Sequence, residues 1–150
     1  MHSSIQDVDF AQVAPGGAAV SAGVDAVTFS VQAGFPSPAE DLGGKRIDLN
    51  DAFVRNQHAT YLMRVSGASM RDAGIDDGDV ILVDRSVKPS HRHIVVAIVD
   101  GEFTVKRLWK MGSNIKLKAE NPTFPDIVPK DGQVIEIWGV VTTAVKQFSI

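Results

Sequence analysis

The sequence contains no cysteine, and only 7% of its residues are aromatic. Without cysteine, it can form no disulfide, thiolate metal site or iron–sulfur cluster, and it has no cysteine nucleophile. Its longest apolar runs, such as Ile94–Val99, are far shorter than the roughly 20 residues that cross a bilayer. The N-terminus also lacks the positive charge of a secretory signal. We therefore expect a cytoplasmic globular chain without membrane contact, and no motif calls for a cofactor or metal.

Basic residues are missing from positions 1–44, which carry five acids, while all 15 lysines and arginines follow. With 18 acids in total, the chain does not have the composition of a protein that binds mainly by neutralising phosphates. Glycine and proline are frequent in the acidic segment, so little apolar area offsets its chain entropy. We predict a flexible N-terminal arm, with an edge strand over Ala26–Val31 as the alternative.

From Tyr61 onward, short β-type runs alternate with turn signals. Asp100-Gly101 joins two of these runs and favours a two-residue hairpin. One helix is predicted at Leu49–Arg55, capped by Asp48 or Asn50. The pattern predicts a mostly β domain, built as a small, strongly curved sheet or partial barrel. The predicted strands are Tyr61–Val65, Val80–Val83, Ile94–Val99, Phe103–Trp109, Ile115–Ala119, Val134–Val141 and, less regularly, Thr142–Phe148.

A turn rich in serine and glycine follows the first of these strands. Ser69 lies where the strand has ended, and Gly67 allows the tight turn that brings N–H groups near a reacting carbonyl. Serine and glycine also occur in turns for conformational reasons alone. Arg71 stands where the elbow motif of α/β-hydrolases needs glycine, so that class is excluded. The turn is a candidate site for a nucleophile.

Lys106 is the candidate base, because the four histidines lie at the terminus or beside turns. It lies within a predicted strand, next to Val105 and near Leu108. Apolar surroundings would lower the pKa of its amine and make the neutral form available. A strand lysine can also protect an edge or extend its charge into water. The residues alone therefore leave a Ser-Lys dyad and a structural lysine both open.

Several separated blocks of sequence, in the same order, resemble the LexA/UmuD family of self-cleaving Ser-Lys proteases. The resemblance runs from about Gln32 to the end of the chain, and Ser69 and Lys106 have the family's separation of 37 positions. It implies a sheet of the LexA C-terminal-domain type. The blocks are A-G-F-P-S-P at 33–38, R-I-D-L-N at 46–50, A-T-Y at 59–61, S-G-A-S-M at 66–70, G-I-D-D-G-D at 74–79, D-G-E-F-T-V-K-R-L at 100–108 and W-G-V-V at 138–141.

The resemblance also implies roles for individual residues. Ser69 matches the nucleophile and Lys106 the general base, and the Ala33-Gly34 pair matches the bond that is cut. The backbone amides of Ala68 and Ser69 are the candidates for the oxyanion hole. Cleavage would remove residues 1–33 as the arm and leave a β-rich protease-like and dimerisation domain at 34–150.

The same resemblance implies partners. A RecA filament on single-stranded DNA would stimulate self-cleavage in the SOS response to DNA damage. The processed homodimer would then act as the accessory subunit of an error-prone Y-family polymerase of the UmuC type, in translesion synthesis. Sequence-specific DNA binding is not expected, because the arm contains no basic residue for a recognition helix.

The sequence leaves two other functions open: a LexA-like or phage-type repressor with the same dyad, and a catalytically silent interaction module. Asp76, Asp77 and Asp79 lack the spacing of a calcium loop, so a solvated turn is predicted there. Trp109 and Trp138 are expected to pack in the core or a dimer interface. The apolar stretch Val134–Phe148 is predicted to form an exposed edge through which two copies pair, either strand to strand or face to face.

Overall fold

The computed structural model describes residues 24–26, 31, 33–34 and 45–150. Those up to Arg55 belong to one compact unit, and those from Asn56 onward belong to another. The predicted arm lies almost entirely outside the described residues, and so does most of the alternative strand at 26–31. The division at 33/34 therefore stays a prediction.

The first unit contains a two-stranded antiparallel sheet and one short helix. Strand β1 (Val24–Ala26) pairs with β2 (Lys45–Ile47), and helix α1 (Leu49–Phe53) follows. Asp48 caps the helix by accepting a 2.9 Å hydrogen bond from the Asn50 N–H, which satisfies one of the free donors of the first turn. The predicted helix and its cap are confirmed, although the helix ends at Phe53 rather than at Arg55.

The second unit is built on a six-stranded antiparallel sheet. Its strand order is β3-β4-β8-β5-β6-β7, and the two outer strands, β3 and β7, do not pair with each other. The mostly β prediction is confirmed, as an open sheet rather than a closed barrel. The strands are β3 (Thr60–Arg64), β4 (Val80–Asp84), β5 (Ile94–Val99), β6 (Glu102–Met111), β7 (Asn114–Lys118) and β8 (Ile135–Val145), with a short 3-10 helix at Arg71–Ala73.

Buried side chains cover both faces of this sheet. Val95 and Val96 are neighbours in β5 and belong to different core clusters, because successive side chains of a strand point to opposite faces. This explains why β5 is an unbroken apolar run rather than an alternating one. One cluster contains Val65, Met70, Ile75, Ile81, Val83 and Val96, and the other contains Val95, Ala97, Leu108, Leu117 and Val140.

The strand β8 corrects two sequence predictions. Val134–Val141 and Thr142–Phe148 were expected as separate strands, but Ile135–Val145 forms one strand with irregular register against both neighbours. It also lies at the centre of the sheet, between β4 and β5, so the predicted exposed edge is wrong. Most of its apolar side chains pack on the core: Val140 is buried, and Ile135, Ile137, Trp138 and Val141 lie partly buried against the two clusters. A Cβ on Gly139 would lie 2.6 Å from Val83 Cγ1. Backbone pairing of this strand with a second copy is therefore not supported, and pairing through a face stays a prediction.

The predicted Asp100-Gly101 hairpin is confirmed. Val99 pairs with Glu102, and the two residues between them have φ of +50° and +82°. Positive φ at both turn positions is the conformation that matches the twist of the two strands. The hairpin joins β5 to β6 and so fixes the position of Lys106 in the sheet. No helix among the described residues is long and apolar enough to span a membrane.

Candidate active site

Ser69 lies in the turn between β3 and the 3-10 helix, and hydrogen bonds hold the start of this turn. The Val65 N–H donates to Asp79 O, and the Gly78 N–H donates to Val65 O, both at 2.8 Å. Gly67 has φ of +95°, a conformation that side chains other than hydrogen rarely adopt, and its N–H donates to Asp77 Oδ1 at 2.7 Å. The sequence prediction of a glycine-dependent turn before Ser69 is confirmed.

Lys106 lies in β6 with only 8% of its surface exposed. Its Nζ lies 3.0 Å from Ser69 Oγ, 2.9 Å from Thr104 Oγ1 and 3.1 Å from the carbonyl oxygen of Val105. A neutral lysine amine has two N–H donors and one lone pair. Two donors can therefore satisfy Thr104 and Val105 while the lone pair accepts the Ser69 hydroxyl proton.

Burial lowers the pKa of Lys106 below the ordinary lysine value of 10.5. Desolvation acts in this direction because a charged ammonium loses its hydration while a neutral amine loses little. An acidic partner would counter the shift, but no ion pair joins Lys106 to an aspartate or glutamate of the described residues. The sequence-based expectation of a lysine in apolar surroundings is confirmed.

The two side chains open onto a groove of about 300 Å³. Residues of the Ser69 turn and of β6 line it, together with the apolar side chains of Met63 in β3, Ile81 in β4 and Val96 in β5. Such a groove can hold an extended peptide segment beside the hydroxyl and the amine. Its lining comprises Met63, Arg64, Val65, Ser66, Gly67, Ala68, Ser69, Met70, Ile81, Val96, Phe103, Thr104, Val105, Lys106 and Phe124.

The remaining predicted site residues differ: Ala68 and Ser69 line the groove, whereas Ala33 and Gly34 are not among its lining residues. The amides of Ala68 and Ser69 donate no hydrogen bond to another described residue, so their role in an oxyanion hole stays a prediction. Ala33 and Gly34 are exposed, and they belong to the unit that ends at Arg55. Their role as the cut bond also stays a prediction.

The sequence analysis did not identify the segment that donates hydrogen bonds to the backbone carbonyls of the Ser69 turn. The Glu120 N–H donates to Ser69 O at 2.8 Å, and Asn121 Nδ2 donates to Ala68 O, also at 2.8 Å. The Glu120 side chain pairs with Arg107, the residue next to Lys106, at 2.6 Å. Glu120 and Asn121 follow β7 without any recognisable motif, and only the folded chain brings them to the turn.

The acidic turn after the 3-10 helix is only partly solvated: Asp77 is exposed, as predicted, but Asp79 is buried, which corrects the sequence prediction for that residue. Asp79 is only 5% exposed and accepts a hydrogen bond from the Asp76 N–H. Lys146 Nζ lies 2.6 Å from Asp79 Oδ2 and 2.8 Å from Asp76 Oδ2. The ion pairs with Lys146 hold the loop in place, and Asp77 of the same loop accepts the hydrogen bond from the Gly67 N–H. No group of three or more metal-ligating side chains occurs among the residues that the structure describes.

The two tryptophans lie in different packing environments. Trp138 packs against the core cluster that contains Met70, and its ring contacts Tyr61 and Phe103 edge to face. Trp109 is half-buried and contacts His91 in the same manner, with ring centroids 4.7 Å apart. The prediction of a packing role is confirmed for Trp138.

An open β sheet that carries a serine hydroxyl 3.0 Å from a buried lysine amine in one groove has the arrangement expected of one class of protein, the serine peptidases, whose hydroxyl needs an adjacent base. The comparison with known families agrees with that class. Residues 25–142 match the Peptidase S24-like family, and the chain belongs to it.

The similar proteins lie within the LexA/UmuD family. Protein MucA of Escherichia coli is 48% identical over 113 residues, which cover 75% of this chain and 77% of MucA. Protein ImpA of Shigella flexneri is 45% identical over 112 residues, 74% of this chain and 75% of ImpA. The LexA repressor of Cupriavidus necator is 37% identical over 128 residues, 83% of this chain and 59% of that protein. The resemblance seen in the sequence is confirmed.

Proposed function

We propose that this chain is an autoproteolytic serine endopeptidase that cuts its own Ala33-Gly34 bond. Ser69 is the nucleophile and Lys106 is the general base. The observation that carries the proposal is the 3.0 Å distance between Ser69 Oγ and Lys106 Nζ, with the amine buried and free of a carboxylate partner among the described residues. Membership of the Peptidase S24-like family supports the same chemistry.

In the first step, neutral Lys106 takes the hydroxyl proton while Ser69 Oγ forms a bond to the carbonyl carbon of Ala33. The carbonyl electron pair moves to its oxygen, where the amides of Ala68 and Ser69 donate hydrogen bonds to it. The intermediate then collapses. The C–N bond breaks, and the Gly34 nitrogen leaves as an amine after it takes the proton from Lys106.

In the second step, water replaces the amine. The water oxygen attacks the acyl carbon while Lys106 accepts a proton from that water, and the ester bond to Ser69 breaks. The proton returns to Ser69 Oγ, and residues 1–33 depart with a free carboxylate. The small side chains at Ala33 and Gly34 allow the scissile peptide to approach the dyad closely. Because the substrate is tethered to the enzyme, little intrinsic affinity is needed.

We further propose that self-cleavage belongs to the SOS response, in the cytoplasm, and that a RecA filament on single-stranded DNA stimulates it. The processed homodimer then joins a UmuC-type Y-family polymerase in translesion synthesis. Similarity to MucA and ImpA over three quarters of the chain supports this assignment. The identity to the LexA repressor is lower, so repression of transcription is the second candidate.

The experiment that tests self-cleavage is an intact-mass time course of the purified full chain at mildly alkaline pH. It is run with and without RecA assembled on single-stranded DNA. We expect two products, residues 1–33 and 34–150. Ser69→Ala and Lys106→Ala should both remain whole. The matched controls are Ser113→Ala and Lys130→Ala, an exposed serine and an exposed lysine outside the groove, and both should be cut.

Each alternative predicts a distinct outcome. If the parent remains whole under every condition, the chain is a silent interaction module. If Ser69→Ala is cut as fast as the parent, the cleavage comes from another protease. If the product masses correspond to cleavage at a different bond that still depends on Ser69 and Lys106, the dyad is retained and the Ala33-Gly34 assignment is wrong.

The partners are tested separately. Sedimentation of the 34–150 product at micromolar concentration should give a dimer mass, and a monomer would contradict the homodimer. Tagged product should retain a purified UmuC-type polymerase, with full-length Ser69→Ala as the comparison. Failure to retain the polymerase, together with retention of an operator DNA, would favour the repressor.

A further inference from the structure

The nucleophile turn is held by two consecutive residues that lie far from it in sequence. Glu120 binds the carbonyl of Ser69 through its backbone N–H, and Asn121 binds the carbonyl of Ala68 through its side chain. These are the carbonyls of the two peptide units that flank the Ser69 Cα. Both peptide planes are thus held from this segment, and the Ala68 carbonyl also accepts the Arg71 N–H at 3.3 Å within the turn.

The orientation of the Asn121 amide is unambiguous. Its Oδ1 accepts from the Thr123 N–H at 3.1 Å and lies 2.9 Å from Thr123 Oγ1. An N–H can only donate, so the oxygen of Asn121 must face Thr123 and the nitrogen must face Ala68 O. The side chain is only 5% exposed, and this geometry is consequently sheltered from competing water.

The carbonyl of Ala68 and the N–H of Ser69 belong to the same peptide unit. In a planar trans peptide, the C=O and the N–H point to opposite sides. A hydrogen bond that draws Ala68 O toward Asn121 therefore turns the Ser69 N–H away from Asn121. That N–H donates to no other described residue, and Ser69 lines the groove whereas Asn121 is not among its lining residues.

We infer that Asn121 is a positioning residue for self-cleavage: by holding the Ala68 carbonyl, it aims the Ser69 amide at the oxyanion that forms in the groove. This inference rests on the proposed function. Asn121 contacts neither the hydroxyl nor the amine, so it should not alter the protonation of Lys106. Its effect should instead be confined to steps in which charge develops on the carbonyl oxygen.

The test compares two substitutions at this position in the full chain. Asn121→Ala removes the donor and leaves space, while Asn121→Asp keeps the shape and replaces the donor by an acceptor that repels Ala68 O. We expect both to slow self-cleavage by on the order of 10- to 100-fold, less than direct loss of an oxyanion donor. For Asn121→Ala, which adds no charge, the midpoint of the pH–rate profile should stay at that of the parent. Thr60→Val, which removes a side-chain hydrogen bond to Asn56 O elsewhere in this unit, is the control and should be cut at the parent rate.

A second measurement separates aiming of the amide from general loosening of the turn. A peptide ending in a boronic acid, with boron in place of the Ala33 carbonyl carbon, accepts the Ser69 Oγ electron pair and becomes a tetrahedral anion, while Lys106 takes the proton. The matching peptide amide binds without this step. Asn121→Ala should weaken boronate binding by roughly 10-fold or more and leave amide binding unchanged. Ser69→Ala, which forms no adduct, sets the baseline.

The outcomes separate the role of Asn121 from the proposed function. Self-cleavage that depends on Ser69 and Lys106 but proceeds at the parent rate in both Asn121 variants would overturn the inference and keep the proposed function. Equal weakening of boronate and amide binding would also overturn it. A parent that never cleaves and never binds the boronate would overturn the proposed function itself. Thermal unfolding of each variant establishes that it is folded before its rate is compared.

Discussion

Two lysines attached to the same sheet lie in opposite electrostatic environments. Lys106 is buried in the groove, with hydroxyl and carbonyl partners, and burial lowers its pKa. Lys146 follows the end of β8, and hydrogen bonds to Asp76 and Asp79 raise its pKa. A lysine can serve as a base only where the cost of desolvating its charge is left uncompensated. The two environments therefore suit Lys106 to the proposed proton transfer and Lys146 to a structural role.

The neighbours of each lysine produce this difference. β6 supplies Thr104 and Val105 beside Lys106, which can accept hydrogen bonds from a neutral amine without adding negative charge. The acidic turn supplies two carboxylates to Lys146, and one of them, Asp79, is buried. Paired charges anchor the turn, and an unpaired amine remains available for proton transfer.

The largest expected effect comes from replacing each lysine by arginine, which keeps the positive charge but cannot lose its proton. Lys106→Arg should slow self-cleavage by about 10²- to 10⁴-fold, the usual contribution of a general base. Lys146→Arg should be cut at the parent rate. Gel quantification of the 34–150 product over time measures both, and equal rates in the two variants would remove the distinction between the lysines.

The pH dependence of cleavage should report Lys106. Because burial lowers its pKa, the neutral amine is more abundant at pH 8 than it would be for an ordinary lysine. The single-turnover rate should rise with pH and then reach a plateau, and the midpoint of the rise should lie below 10.5. Lys146→Met should leave that midpoint in place. A rate that is flat with pH, or that falls as pH rises, would contradict the assignment of Lys106 as the base.

Removal of a carboxylate from the structural lysine should cost stability. Asp79→Ala leaves a buried hydrogen-bond network incomplete and should lower the free energy of unfolding by about 1–3 kcal/mol. The matched control is Asp126→Ala, which breaks the half-exposed pair with Lys116 and should cost about 0–1 kcal/mol. Urea denaturation measures both changes. Equal losses would mean that burial of Asp79 carries no energetic weight.

The smallest effect is the pH dependence of stability, which should have opposite signs for the two lysines. The folded-state pKa of Lys106 is lowered, so protonation of this residue disfavours folding at all pH values below that pKa. Lys106→Met should therefore stabilise the chain there, and the gain should disappear as pH approaches 10.5. Both the parent and the variant carry Ser69→Ala so that no cleavage occurs.

For Lys146 the pKa is raised, and its pairing favours folding below the unfolded value of 10.5. Lys146→Met should lower stability in that range, and the loss should vanish as pH rises through the raised pKa. Chemical denaturation at a series of pH values follows both variants. If the effect of each substitution on the free energy of unfolding changed with pH in the same direction for Lys106→Met and Lys146→Met, the environments of the two lysines would not differ.

The sequence predicted the β class, the Asp100-Gly101 hairpin and the apolar setting of Lys106, because strand periodicity, turn chemistry and local neighbours are all encoded within short windows. It could not place Ile135–Val145 at the centre of the sheet, because a buried central strand and an edge strand that pairs with a second copy have the same apolar pattern. The environment of Asp79 was predicted wrongly for a related reason. The partner of that carboxylate, Lys146, is 67 positions away, and only the fold joins them.

Asn121 is the clearest case of a residue that the sequence alone does not identify. Asparagine after a strand is ordinary turn chemistry, and its contact with Ala68 spans 53 positions. The dyad differs from it because the family resemblance pairs Ser69 with Lys106 from the sequence blocks themselves. Without that resemblance, the residues alone favour a structural lysine.

The most direct test of the role of Lys106 is a carbon-13 NMR titration of the lysine side chains in the full-length Ser69→Ala chain, which cannot cut itself. Lys106 and Lys146 are assigned from spectra of Lys106→Arg and Lys146→Arg. We expect Lys106 to titrate below 10.5 and Lys146 above it. A Lys106 signal that titrates at or above 10.5 would contradict the central claim that this lysine is poised to act as the base.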